Sequence, residues 1–198
     1  MPHSLTSALL HSSIHCLRRD ESTYSNPMKD ESHMKKLLLL VLLAPAVVFA
    51  QDTDWREIVG VITAPNVDNP VAGISAGTSP WSTRDGHAHV NLATGETSFE
   101  VRGLVLNGGG ASGTTGPITT VTGTVVCNPG TNGQVVRNTA EVNLNSQGNA
   151  TFHGEINGLP AVCANPLFLV RIGPSFPVPA AVGRWLATGA VRVSGTSE

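Results

Sequence analysis

Short runs of alternating apolar and polar residues, each closed by turn-forming residues within about ten positions, constrain this chain to β structure. The clearest pair begins at Gly86. Gly86–Leu92 (GHAHVNL) sets Ala88, Val90 and Leu92 on one face and His87, His89 and Asn91 on the other. Ala93-Thr94-Gly95-Glu96 has turn chemistry, and Thr97–Leu106 (TSFEVRGLVL) returns with Phe99 and Val101 on one face, a hairpin. Further strands are expected at Trp55–Ala64, Pro117–Cys127, Val135–Leu144, Asn149–Ile156 and Arg184–Val193, with a weaker, glycine-containing candidate at Val71–Gly77. Asn145-Ser146-Gln147-Gly148 reads as the turn of a second hairpin. Leu167–Ile172 (LFLVRI) is a continuous apolar run bounded by prolines, which predicts a strand covered on both faces. No segment carries a helical period. The fold class is all-β: one antiparallel β-sandwich of eight or nine short strands, with a barrel as the runner-up.

Met34–Ala50 (MKKLLLLVLLAPAVVFA) has the pattern of a secretory signal peptide. Lys35 and Lys36 form a positive start, Leu37–Leu43 open an apolar stretch, and Val48-Phe49-Ala50 supplies small residues for cleavage near Ala50. The apolar run is shorter than the roughly 20 residues that span a bilayer, and Pro45 interrupts it. Residues 1–33 are polar and aperiodic, and are expected to be a mis-called start or a disordered leader. The codons of Lys29-Asp30 can contain AGGA, a ribosome-binding sequence suitably placed before Met34. The domain is then Gln51–Glu198, exported and either periplasmic or secreted, with no integral membrane segment in the mature chain. A transmembrane barrel is disfavoured because the strands lack an aromatic girdle.

From Gln51 onward seven Arg and no Lys face four Asp and six Glu, a formal net charge of −3. The arginines stand singly, so nothing marks a nucleic-acid or anionic-membrane partner. Cys16 lies in the leader, which leaves Cys127 and Cys163 alone in an oxidising compartment and predicts a disulfide between them.

His87-Ala88-His89 is the constellation closest to chemistry. Residues i and i+2 of a strand project from the same face, so both imidazoles can address one copper or zinc ion. His153 could complete the set, and Asp85 or Glu155 could add an oxygen. Against this, alternation turns both histidines of the pair to the solvent face beside Asn91, where no catalytic or cofactor role is required. No serine sits in a Gly-x-Ser-x-Gly elbow, Ser112 coming nearest, so no catalytic residue is assigned. Glu96, Glu100, Glu141 and Glu155 read as polar members of alternating strands. Asn107–Gly116 (NGGGASGTTG) lacks the lysine and following helix of a phosphate loop and reads as a flexible hairpin end. Trp81 and Trp185 are expected to pack. Asn149-Ala150-Thr151 matches a glycosylation sequon that a chain with a bacterial-type signal would not use.

The runs NLATGETSFEVRGLVLNGG, GPITTVTGTVVC and LPAVCANPLFLVRI with GRWLATGA resemble a group of small exported bacterial proteins, from about Gly86 onward. That resemblance implies an exported location and an all-β fold, and no activity. NLATGETSFEVRGL is also similar to the repeated unit of CHRD-type domains, but the histidine-containing segment that follows it there has no counterpart in Thr119–Thr124. The expected role is non-enzymatic, binding or structural, with a protein or surface-polymer partner. The rivals are an extracytoplasmic metal-binding protein using His87, His89 and His153, and a hydrolase with an unrecognised site.

Overall fold

The computed structural model describes residues 52–64, 67–176 and 182–194. Met34–Ala50, where a signal peptide is expected, and residues 1–33 before it lie outside the described residues. Ten strands follow in order: β1 (Asp52–Gly60), β2 (Trp81–Ser82), β3 (Asp85–Asn91), β4 (Glu96–Arg102), β5 (Val105–Leu106), β6 (Thr120–Cys127), β7 (Val135–Asn143), β8 (Ala150–Glu155), β9 (Leu167–Ile172) and β10 (Trp185–Ser194). Among the described residues there is no helix, and so none long and apolar enough to cross a membrane.

Eight strands form one antiparallel sheet in the order β7-β6-β9-β10-β1-β3-β4-β8, while β2 and β5 pair as a separate two-stranded ribbon. The large sheet rolls up. Phe99 on β4 and Phe168 on β9 stand four strands apart in the sheet, about 19 Å if it were flat, yet their ring centroids are 5.5 Å apart. Trp55 adds a ring 5.6 Å from Phe168, and Phe152 one 5.8 Å from Phe99, so four aromatic side chains cross the interior in a chain. The end strands β7 and β8 approach each other without pairing. Arg137 on β7 donates from Nε to the carbonyl of Gly158, in the turn after β8, at 2.8 Å. The arrangement is thus a nearly closed barrel, the runner-up form of the expected all-β class, rather than two facing sheets.

The alternation in β3 and β4 survives intact: Ala88, Val90, Phe99 and Val101 are buried, and the β3–β4 hairpin forms at the expected turn. Leu167–Ile172 buries Phe168, Leu169 and Val170 in succession, as expected for a strand covered on both faces. Trp81 and Trp185 are both buried. Cys127, the last residue of β6, is disulfide-bonded to Cys163, and Asn128 beside it exchanges hydrogen bonds with Ala164 through backbone and side chain.

Three local expectations change. Val71–Gly77 forms no strand. Its residues make only isolated bridges, Val71 to Ile74 and Ala76 to Trp185, around a turn in which Ala72 and Gly73 have positive φ. The stretch from Thr97 to Leu106 breaks at Gly103, whose φ of 65° leaves the strand region, so β4 ends and β5 joins the ribbon. The turn at Asn145–Gly148 closes no hairpin, because β7 pairs with β6 and β8 with β4. The loop after β5 is fastened back on itself, with the N–H of Gly113 on the Leu106 carbonyl and that of Leu106 on the Thr114 carbonyl.

Candidate functional site

The outer face of β1, β3, β4 and β8 carries the candidate residues, and register decides which of them meet. His89 lies opposite Asp54 on β1 and opposite Ser98 on β4, and Ser98 in turn lies opposite His153 on β8. Asp54, His89, Ser98 and His153 therefore form one row across four strands. His87 belongs to the neighbouring row, opposite Glu100. Two inter-strand spacings separate His89 from His153, about 10 Å between backbones. A half-open depression of about 530 Å³ lies between them, with Glu96, Ser98 and Glu155 also on its walls. A second open depression, of about 370 Å³, lies beside Glu57, Thr83 and Arg84.

The ring of His89 turns toward β1. Its Nδ1 is 2.8 Å from Asp54 Oδ1, a hydrogen bond in which the ring nitrogen donates and the carboxylate accepts. That bond leaves Nε2 as the unprotonated nitrogen of the neutral ring. Nε2 faces Asp52 Oδ1 at 3.9 Å. This oxygen is shielded from solvent and has no hydrogen-bond partner among the described residues. The His89 side chain as a whole is 38% exposed, so the pair sits at the surface with its ring partly accessible.

The three histidines share a face but do not converge. Among the described residues no three His, Cys, Asp or Glu side chains are placed to hold one metal ion. Asp85 is turned to Arg102 at 3.8 Å, and Arg102 also meets Glu100 at 2.6 Å. The hydrogen bond and charge of Glu100 raise the Arg102 guanidinium above its ordinary value, with Asp85 adding to the effect. Glu155 lines the depression beside His153.

Asp54, His89 and Ser98 are adjacent in the order of a hydrolytic triad, yet the wiring differs. A triad needs the imidazole Nε2 on the serine hydroxyl. Here Nε2 faces Asp52, and no hydrogen bond joins Ser98 to His89.

Asp52 and Asp54 were outside the expected site because the sequence reading starts this strand at Trp55. The signal was present as the alternation Asp52-Thr53-Asp54-Trp55, in which Thr53 and Trp55 are buried and both aspartates face outward. Their meeting with His89 depends on the pairing of β1 with β3, separated by more than thirty residues of chain. Comparison with protein-family models, with curated proteins and with solved structures gave no match for this chain.

Proposed function

We propose that the protein is an exported domain of non-enzymatic type that binds a protein or surface polymer, or serves a structural role, through the outside of its barrel. The observation that carries this reading is the filled interior. Trp55, Phe99, Phe152 and Phe168 occupy the space in which a ligand-carrying barrel would keep a chamber. Contact with other molecules then falls to the strand faces, where the polar row Asp54, His89, Ser98 and His153 crosses the outside of β1, β3, β4 and β8. An outer strand face suits an extended partner better than a small substrate, which needs a cleft that excludes water. Export is supported by the leader pattern of Met34–Ala50 and by the disulfide, which persists in oxidising compartments.

The test is co-sedimentation of the exported protein with cell-envelope material and with insoluble polysaccharides, run beside assays for ester, glycoside and phosphate hydrolysis. Retention on one of these polymers with no turnover is the expected result. Hydrolysis that disappears in Ser98→Ala or Glu155→Gln would place the protein among the hydrolases instead.

A further inference from the structure

We propose that Asp52 and His89 form the protein half of an open binding site for a divalent copper or zinc ion, at the start of β1. The inference goes beyond the role proposed above and does not depend on it. It also differs from the set His87, His89 and His153, since it takes only His89 from that set and adds a carboxylate from another strand.

Three observations carry it. The Nδ1 of His89 is 2.8 Å from Asp54, and in the neutral ring donation from Nδ1 leaves the Nε2 lone pair available. A carboxylate on the far nitrogen of a metal-bound histidine is the usual means of orienting the ring and raising its basicity. Second, Asp52 Oδ1 is shielded from water and accepts no hydrogen bond from the described residues, a state that costs free energy unless a cation or donor reaches it. Third, Nε2 and Oδ1 face each other at 3.9 Å, too far for a hydrogen bond. Two ligands at ordinary zinc distances with a tetrahedral angle between them stand about 3.4 Å apart. Closing the pair around an ion therefore needs a movement of about half an ångström, and Asp52 is the first residue of its strand.

The donor set chooses the ion. Imidazole with carboxylate suits copper(II) and zinc, with copper(II) the tighter of the two on the general order of affinities. Two protein ligands leave the remaining coordination positions to water. The site is consequently open, and its ion can accept a further donor from whatever meets this face.

The test is calorimetric titration of the exported, disulfide-bonded protein, first stripped with a chelator, with copper(II) or zinc alone in a non-coordinating buffer near neutral pH. One ion per chain is expected. Asp52→Ala and His89→Ala should each weaken binding at least tenfold, and Asp54→Asn about 10- to 100-fold through loss of ring orientation. His87→Ala and His153→Ala should leave the affinity within a factor of two. Equal thermal melting of the metal-free variants establishes that each is folded. In a parallel NMR titration with zinc, the His89 ring signals should shift and those of His87 and His153 should not. Absence of binding by the unaltered protein, undiminished binding by Asp52→Ala, or loss on removing His87 or His153 would overturn the proposal.

Discussion

The hydroxyl of Thr139 accepts the backbone N–H of Gly123 at 3.0 Å, at the point where β6 and β7 fall out of register. Thr122 opposes Glu141 and Thr124 opposes Asn138, so β7 carries one extra residue across from Gly123. The bulge leaves Gly123 without a backbone partner on β7, and the buried threonine side chain takes that place while donating to its neighbour's carbonyl at 2.7 Å. Replacing Thr139 by valine keeps the shape and removes the acceptor. The loss should be about 1–3 kcal/mol, the cost of a buried unpaired N–H, read as a lower urea midpoint with unchanged slope. Thr139→Ser should retain most of the stability, and equal midpoints for the valine variant and the parent would refute the assignment.

Gly123 is confined on its other side as well. A Cβ there would stand 2.8 Å from Cε1 of Phe99 and 3.1 Å from Cζ of Phe168, in the middle of the interior aromatic chain. Gly123→Ala should therefore destabilise by about 1–3 kcal/mol through overpacking. The cost should shrink in a Phe99→Leu background, because the smaller side chain yields the space. A double-mutant cycle measures that coupling, and strict additivity would count against direct contact.

The disulfide between Cys127 and Cys163 spans 36 positions and ties the end of β6 to the segment before β9. On the chain-entropy account, a loop of this length contributes about 3–4 kcal/mol. Reduction, or Cys127→Ala with Cys163→Ala, should lower thermal stability by that order. A melting curve unaffected by reductant would show that the fold does not draw on the bond.

Glu141 gives the fold an acid-sensitive contact. The Ser175 hydroxyl, seconded by the Ser175 backbone N–H, holds its carboxyl below the ordinary glutamate value of 4.5, against an opposing effect of burial. A depressed folded-state value adds stability that is present above the unfolded-state value and is lost as pH falls through the folded-state value. The contribution of Ser175 should thus be visible near neutral pH and vanish well below pH 4.5. It should be small, since solvent screens an exposed carboxylate. Urea midpoints of the parent and Ser175→Ala should converge on acidification, and a gap that widens would contradict the sign.

Much of the architecture was legible in the chain because strand alternation is a local signal. The inward set Ala88, Val90, Phe99 and Val101 follows from period two alone, and the β3–β4 turn from Ala93-Thr94-Gly95. What escaped was long-range. The Asn145–Gly148 turn has the chemistry of a hairpin, with Asn145 Oδ1 accepting from the N–H groups of Gln147 and Asn149, yet β7 and β8 end at opposite sides of the sheet. Nothing local says that β8 prefers β4. Thr122 and Thr124 look like exposed positions and are buried, because β6 is covered on both faces. The candidate site divides in the same way. Parity turned His87 and His89 outward, whereas the row that joins Asp54, His89, Ser98 and His153 exists only once the register is known.

The most direct measurement is the intact mass of the protein recovered outside the cytoplasm of a bacterial host expressing the full chain. The expected species is a chain running from Gln51 to Glu198, lighter by two hydrogens than the reduced sequence once cyclisation of an N-terminal glutamine is allowed for. That result would join export, cleavage near Ala50 and the Cys127–Cys163 bond in one observation. An uncleaved chain retained in the cytoplasm with its thiols free would contradict the account of an exported, disulfide-bonded barrel.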